Sequence, residues 1–128
     1  MSHELSLLVW SVALTVVQAL VAMLAANTQV SLATLAGNRE DMPELTGWAG
    51  RAQRAHRNML ENLPLFIALV LVAQVTNRLN TMTLLGAELF FWARLLHAVV
   101  YLMGISWLRT LLWLVSIVGL VLIFSQVV

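Results

Sequence analysis

The chain contains no cysteine and no lysine, and only 10% of its 128 residues are charged. Without cysteine it cannot form a disulfide, a thiolate metal site or a protein thiol nucleophile, so sulfur chemistry would require a thiol brought by a ligand. We predict no metal site. The net charge of +1 does not indicate nucleic-acid binding, because the arginines lie at the ends of apolar segments and do not form a soluble basic face.

Long apolar blocks dominate the sequence, which is 61% hydrophobic. Blocks of this length are typical of membrane spans, and the first one lacks the basic start and cleavage site of a signal peptide. Only short turns separate the later blocks, so neighbouring helices should be antiparallel. We predict an all-α, integral membrane four-helix up-down bundle in a single domain over residues 1–128, with helices at about 5–35, 48–77, 81–104 and 107–127.

The arginines are distributed unevenly between the two sides of this bundle. Arg78 is alone on one side, and the other side carries Arg39, Arg51, Arg54, Arg57 and Arg109. The positive-inside rule then predicts that both termini face away from the cytosol and that the arginine-rich side faces it. The absence of lysine points to a GC-rich bacterial genome, and we expect a multi-pass protein of a bacterial inner membrane with periplasmic termini.

Two polar stripes enter the predicted membrane region from the arginine-rich side. At about 100° per residue, one face of the second helix, about a third of its circumference, carries Arg51, Arg54, Arg57, Asn58 and Glu61. The third helix carries a narrower stripe of Arg94, His97 and Tyr101, spaced i, i+3, i+7. Polar residues at this depth are costly and therefore indicate a functional site.

Glu61 and Arg94 lie at similar predicted depth, about 10 Å inside the boundary. Because a lone charge there is costly, we expect them to form an ion pair. The remaining charge, on Arg51, Arg54, Arg57 and Arg109, would form a basic nest for a small polyanion. Alternatively, boundary arginines extend to lipid phosphates, and the five tryptophans anchor the chain at the interfaces. Glu88 lies off the stripes, and we expect it to bond Gln18, Gln74 or a neighbouring subunit; a proton or ion path is the alternative.

The segment Arg54-Ala-His-Arg57-Asn58-Met-Leu-Glu61-Asn-Leu-Pro64-Leu-Phe66 resembles a second-helix signature of the MAPEG family, the membrane-associated proteins of eicosanoid and glutathione metabolism. Arg94-Leu-Leu-His97-Ala-Val-Val-Tyr101 is similar to the third-helix motif, and Arg109 follows eight residues later, about where the family has its thiol-activating arginine. The match covers most of the chain and favours the microsomal glutathione transferase and prostaglandin E synthase branch, of bacterial type.

The resemblance implies a homotrimer that binds glutathione as co-substrate between subunits near the cytosolic face. The implied glutathione-binding residues are Arg54, Arg57, Asn58, Glu61, Arg94, His97 and Tyr101, and Arg109 would stabilise the thiolate. The expected activity is conjugation of an apolar electrophile, or reduction of a peroxide, with glutathione. A lipid-facing cleft would admit the apolar co-substrate.

Some residues depart from the resemblance and keep alternatives open. The first helix reads Gln29-Val30-Ser31 where the synthase branch has an arginine, with Arg39 as a candidate replacement. Thr110 follows Arg109 where prostaglandin synthases have serine, which argues against prostaglandin synthesis. A noncatalytic lipid-binding or scaffold protein of the same fold is the main alternative. A small transporter is a third, and the expected neutralisation of Glu61 by Arg94 argues against it.

Overall fold

A computed structural model describes residues 1–40 and 42–128 and contains only helices as regular elements within those ranges. Four of the helices are long and apolar enough to cross a membrane. The predicted all-α, multi-pass membrane protein is therefore confirmed. The helices are α1 His3–Asn27, α2 Leu32–Ala36, α3 Gly47–Val75, α4 Thr81–Met103 and α5 Ser106–Val127.

The helix predicted over residues 5–35 is wrong beyond residue 27, because α1 ends at Asn27. The Thr28 hydroxyl donates to the Ala25 carbonyl at 2.6 Å and so satisfies a carbonyl of the last turn. Ser31 then caps the five-residue helix α2, accepting a hydrogen bond from the Thr34 amide at 3.3 Å. Both segments are apolar, so hydropathy alone did not separate them.

The other predicted helices lie within about two residues of the observed ones, because strong local signals end them. Asn80 starts α4 with a capping box in which the Asn80 side chain accepts from the amides of Met82 and Thr83. Gly104 ends α4 with φ of 80°, a left-handed conformation that glycine adopts without steric cost. The turn to α5 is correspondingly short.

Close packing of α4 with α3 and α5 fixes the centre of the bundle. The rings of Phe66 in α3 and Phe90 in α4 stack with their centroids 4.1 Å apart, and both residues are fully buried. Gly86 in α4 faces Gly119 in α5 so closely that a Cβ built on either glycine would lie 2.5 Å from the other's carbonyl oxygen. Glycine is therefore required at both positions for this helix contact.

The first residues of the chain hold α1 to the rest of the bundle at the end where α4 begins. The Thr83 hydroxyl donates to Glu4 at 2.8 Å, and the Ser2 hydroxyl donates to Gln74 at 3.0 Å. Glu4 and Thr83 are buried, and the sequence prediction missed this contact. We refer to this end as the N-terminal end and to the other, where α3 and α5 begin, as the arginine-rich end.

Glu88 also belongs to the N-terminal end, with partners other than those expected. The Glu88 carboxylate lies 2.9 Å from Nε2 of His3 and accepts a hydrogen bond of 2.7 Å from the Trp92 indole. Gln74 instead bonds Ser2, and Gln18 lines a cavity with residues of α3 and of α4 other than Glu88. The expected contacts of Glu88 with Gln18 or Gln74 are wrong, because the start of α1 places His3 beside α4.

Candidate functional site

Three helices meet around a polar cavity of about 230 Å³ at the arginine-rich end. Asn58 comes from α3, two residues come from the end of α4, and the rest come from the first turns of α5. The lining residues are Asn58, His97, Tyr101, Arg109, Thr110 and Trp113. Four of these six residues, Asn58, His97, Tyr101 and Arg109, were predicted as site residues from the sequence. We call this space the site cavity.

Arg109 is held over the ring of Tyr101. Its guanidinium carbon lies 4.4 Å from the ring centroid, within the range of a cation–π interaction. Tyr101 in turn meets His97 edge to face, with centroids 5.5 Å apart. The spacing of these two residues, four apart on α4, places both rings on one face of the helix. Packing on the Tyr101 ring thereby positions the guanidinium at the cavity, and none of the described acidic side chains forms an ion pair with Arg109.

Arg94 lies behind the cavity wall and is only 1% exposed. Its Nη2 donates a hydrogen bond of 2.8 Å to Oδ1 of Asn58, which links the α3 and α4 motifs. The Nε and Nη1 groups of Arg94 have no partner in the described part of the chain, and neither does the buried Nδ1 of His97. Buried polar groups are usually satisfied, so these three atoms indicate capacity for a further polar group.

The expected ion pair between Glu61 and Arg94 is wrong. Among the described residues the single acid–base contact joins His3 and Glu88, and Glu61 is exposed while Arg94 is buried. The Arg94 guanidinium instead donates a hydrogen bond to Asn58, which lies one helical turn before Glu61. Glu61 points away from the helix bundle. The argument against a transporter that relied on a neutralised Glu61 is removed as well.

Arg57 lies in a different cavity from Arg109. That second cavity, about 350 Å³ between α1, α3 and the connection after α2, is lined by Arg57 together with Arg39 and His56. The helical step of about 100° turns Arg57 toward α1 and Asn58 toward α4 and α5. The predicted basic nest is therefore divided between two cavities of the chain, and Arg54 is exposed at the surface.

Arg51 has a structural role in the fold. Its Nε donates to the carbonyl oxygen of Leu102 at 3.0 Å, at the end of α4, where helix carbonyls lack partners within the helix. Its side chain also passes within 3.6 Å of the position that a Cβ on Gly104 would occupy. Gln29, where the resemblance to the synthase branch led us to expect an arginine, bonds the backbone of Thr46 at 2.8 and 3.0 Å and fastens the loop before α3.

Thr110 and Trp113 are cavity residues that the sequence prediction did not select. Trp113 was expected to be an interfacial anchor, yet it lines the cavity, one helical turn after Arg109. The i, i+4 spacing of Arg109 and Trp113 places both on the same face of α5, and this was the available signal. An indole and a hydroxyl add a flat apolar surface and a hydrogen-bonding group to the site.

Chemically, the site cavity combines one guanidinium with neutral hydrogen-bonding groups. Beside Arg109, the cavity is lined by the amide of Asn58, the imidazole of His97, the phenol of Tyr101 and the hydroxyl of Thr110. Such a set suits an anionic or polar ligand, because the cation stabilises negative charge while the neutral groups orient it. Beyond the site cavity α3 and α5 are apolar, and between them lies a cavity of about 410 Å³ whose lining residues include Leu65, Ile117 and Phe124.

Comparison with known proteins adds one finding to this geometry. A profile of the MAPEG family matches residues 7–128, nearly the whole chain. No curated protein and no solved structure matches the sequence. Membership of this family supports a role in glutathione or eicosanoid metabolism at the family level. The fold, the four spans and the profile match agree, and the chain belongs to the MAPEG family.

Proposed function

We propose that the protein is a glutathione-dependent membrane transferase, or peroxidase, in which Arg109 stabilises the glutathione thiolate. The observation that carries the proposal is the convergence of Asn58, His97, Tyr101 and Arg109 on one cavity from three different helices. None of these residues is close to all the others in sequence. A polar network that served only to stabilise the fold would not need a guanidinium that faces the cavity and rests on an aromatic ring.

The chemistry follows from the single cation at the cavity. A free thiol has a pKa of about 8.5 and is mostly protonated at neutral pH, whereas the thiolate is the nucleophile. A guanidinium beside the sulfur stabilises the anion, and the released proton passes to water. The thiolate then attacks an electrophilic carbon, forming a carbon–sulfur bond, while the leaving group departs with the bonding electron pair.

The apolar co-substrate would reach this sulfur from the membrane. The apolar cavity between α3 and α5 lies deeper along the two helices that contribute Asn58 and Arg109. Apolar electrophiles concentrate in the hydrocarbon layer, so a lipid-facing entrance supplies them at high local concentration. The same cavity is the observation that favours the alternative function, a noncatalytic lipid-binding or scaffold protein.

A homotrimer would complete the glutathione site. Arg57 and Arg39 line a cavity on the α1 side of α3, and Arg109 lines one on the α5 side. Glutathione has two carboxylates and a thiol, so its binding would draw on more than one arginine. A neighbouring copy that packs its α1 side against the α5 side of this subunit would bring both sets together, along with the exposed Arg54 and Glu61.

For localisation, we propose a bacterial inner membrane with the arginine-rich end in the cytosol. Arg51, Arg54, Arg57 and Arg109 all belong to that end, and the opposite end carries Arg78. The positive-inside rule favours this orientation. It would also expose the site to the compartment in which reduced thiols are kept.

Conjugation of 1-chloro-2,4-dinitrobenzene by the purified protein in detergent tests the proposed activity. The wild type should form the glutathione conjugate, and Arg109→Ala should lower kcat by about 10²-fold or more, as expected when a charge-stabilising group is removed. Arg78→Ala, which removes an arginine from the opposite end, is the matched control and should retain activity. Binding of glutathione without turnover would favour the noncatalytic alternative, and absence of binding by calorimetry would contradict the proposal.

A further inference from the structure

A further cavity, separate from those described above, lies between α1, α3 and α4 and has no role in the proposed reaction. It measures about 170 Å³ and is bounded on the α4 side by Ala98 and Leu102. Each of these residues directly follows a residue of the site cavity, His97 and Tyr101 respectively. Because consecutive helix residues point about 100° apart, the two cavities lie on different sides of α4.

One polar side chain, Gln18, faces this cavity. Nine of the ten lining residues are apolar, and Gln18 is the exception. Gln18 is only 8% exposed, and its Oε1 atom is buried without a hydrogen-bond partner in the described part of the chain. An unpaired amide in apolar surroundings is costly, so the position indicates a polar group supplied from outside the chain.

Water is a poor candidate for that group. A buried water typically makes about three hydrogen bonds, and this cavity offers only one side chain with polar atoms. A ligand hydroxyl on an apolar body fits better, because it both donates and accepts and therefore pairs with an amide in either orientation. The apolar body would contact the lining residues Leu14, Val21 and Leu95.

We propose that this cavity is a binding site for a small apolar molecule that carries one hydroxyl group, such as a phenol or a medium-chain alcohol, with the hydroxyl bonded to Gln18. The volume is suitable, since a closed apolar cavity of about 150 Å³ binds benzene. The site is independent of glutathione and of Arg109. It would allow such molecules to act on the enzyme from the lipid side without entering the site cavity.

Photolabelling of the full chain in lipid vesicles tests the proposal directly. The probes are diazirine derivatives of octan-1-ol and of octane, compared at equal membrane concentration, with labelled peptides identified by mass spectrometry. The alcohol should label the α1 and α4 peptides that line the cavity about fivefold more than the alkane, the advantage expected from one hydrogen bond. An excess of unlabelled octan-1-ol should abolish the label.

Two valines of α1 provide a matched pair of variants. Val16 and Val17 are each 54% exposed, but only Val17 lines the cavity. Val17→Phe should obstruct the cavity and reduce labelling to background, while Val16→Phe adds the same ring beside it and should leave labelling unchanged. Gln18→Leu should remove the preference for the alcohol while the alkane still labels.

The proposal is overturned by any of three results. Equal labelling by alcohol and alkane in the wild type would mean that ordinary acyl chains occupy the space. No labelling of the cavity peptides would mean that another subunit covers it. Labelling that is equally reduced in Val16→Phe and Val17→Phe would mean that the probe binds the outer surface of α1. None of these results depends on whether the protein turns over glutathione.

Discussion

Nη2 of Arg94 donates a hydrogen bond of 2.8 Å to Oδ1 of Asn58, and this contact joins the two polar motifs of the chain. Arg94 is buried in α4, and Asn58 reaches from α3 to the edge of the site cavity. The contact makes Asn58 both a wall of the cavity and the single described partner of a buried cation. The geometry of the proposed glutathione site therefore depends on it.

Replacing Asn58 should destabilise the fold as well as the site. Asn58→Leu leaves the Arg94 guanidinium without its partner, so we expect a loss of about 1.5–3 kcal/mol in the free energy of unfolding, the usual range for a hydrogen bond to a charged group. Reversible unfolding in mixed micelles measures the change. Arg94→Met combined with Asn58→Leu should recover part of the loss, and a fully additive double mutant would contradict the coupling.

The ring of Tyr101 should matter more than its hydroxyl in placing Arg109. Tyr101→Phe retains the ring under the guanidinium, whereas Tyr101→Leu removes it. A cation–π interaction of about 0.5–2 kcal/mol predicts that Tyr101→Leu lowers kcat/KM about 2- to 30-fold, with a smaller effect in Tyr101→Phe. Steady-state conjugation kinetics measure both. Equal losses in Tyr101→Phe and Tyr101→Leu, which both lack the hydroxyl, would show that the hydroxyl has the dominant role.

The contact of Glu4 with Thr83 should stabilise the N-terminal end of the bundle. Glu4→Leu leaves the buried Thr83 hydroxyl with fewer acceptors, and Glu4→Gln retains a side-chain oxygen. We expect Glu4→Leu to lower the free energy of unfolding by about 1 kcal/mol or more, and Glu4→Gln by less. Thermal unfolding in detergent distinguishes the variants. Equal stability of the wild type, Glu4→Leu and Glu4→Gln would contradict a stabilising contact between Glu4 and Thr83.

The approach of α4 to α5 should not tolerate a larger side chain at Gly119. In Gly119→Ala the new methyl group would lie 2.5 Å from the Gly86 carbonyl oxygen, so the helices must separate. A cost of about 1–3 kcal/mol is expected from such overpacking. Val118→Ala, at the neighbouring exposed position, is the control and should change stability by less than about 0.5 kcal/mol. Unchanged unfolding of Gly119→Ala would contradict the close contact.

The sequence predicted the fold well where local signals coincide with hydropathy. Asn80 and Gly104 mark both ends of α4, and the apolar runs of α3 and α5 are bounded by polar or turn-forming residues. The end of α1 was missed because no charged residue follows Asn27 before Arg39, and the polar residues Thr28, Gln29 and Ser31 are mixed with apolar ones. Hydropathy measures affinity for lipid, and it does not report a change of chain direction.

The site was predicted in part, for a physical reason that concerns rotation about a helix axis. Depth follows from residue number, so His97, Tyr101 and Arg109 were correctly placed at one end. Which neighbour a side chain faces depends on how the helices are rotated against each other. For that reason Arg94 bonds Asn58 and not Glu61, and Arg57 lines a cavity away from Arg109.

The ultraviolet difference spectrum recorded on adding glutathione to the purified protein tests the central claim most directly, since the absorbance of a thiolate reports binding and ionisation together. We predict a thiolate band near neutral pH in the wild type, its loss in Arg109→Ala and its retention in Arg78→Ala. Saturable binding of glutathione without such a band, or an equal band in Arg109→Ala, would contradict the claim that Arg109 stabilises the thiolate.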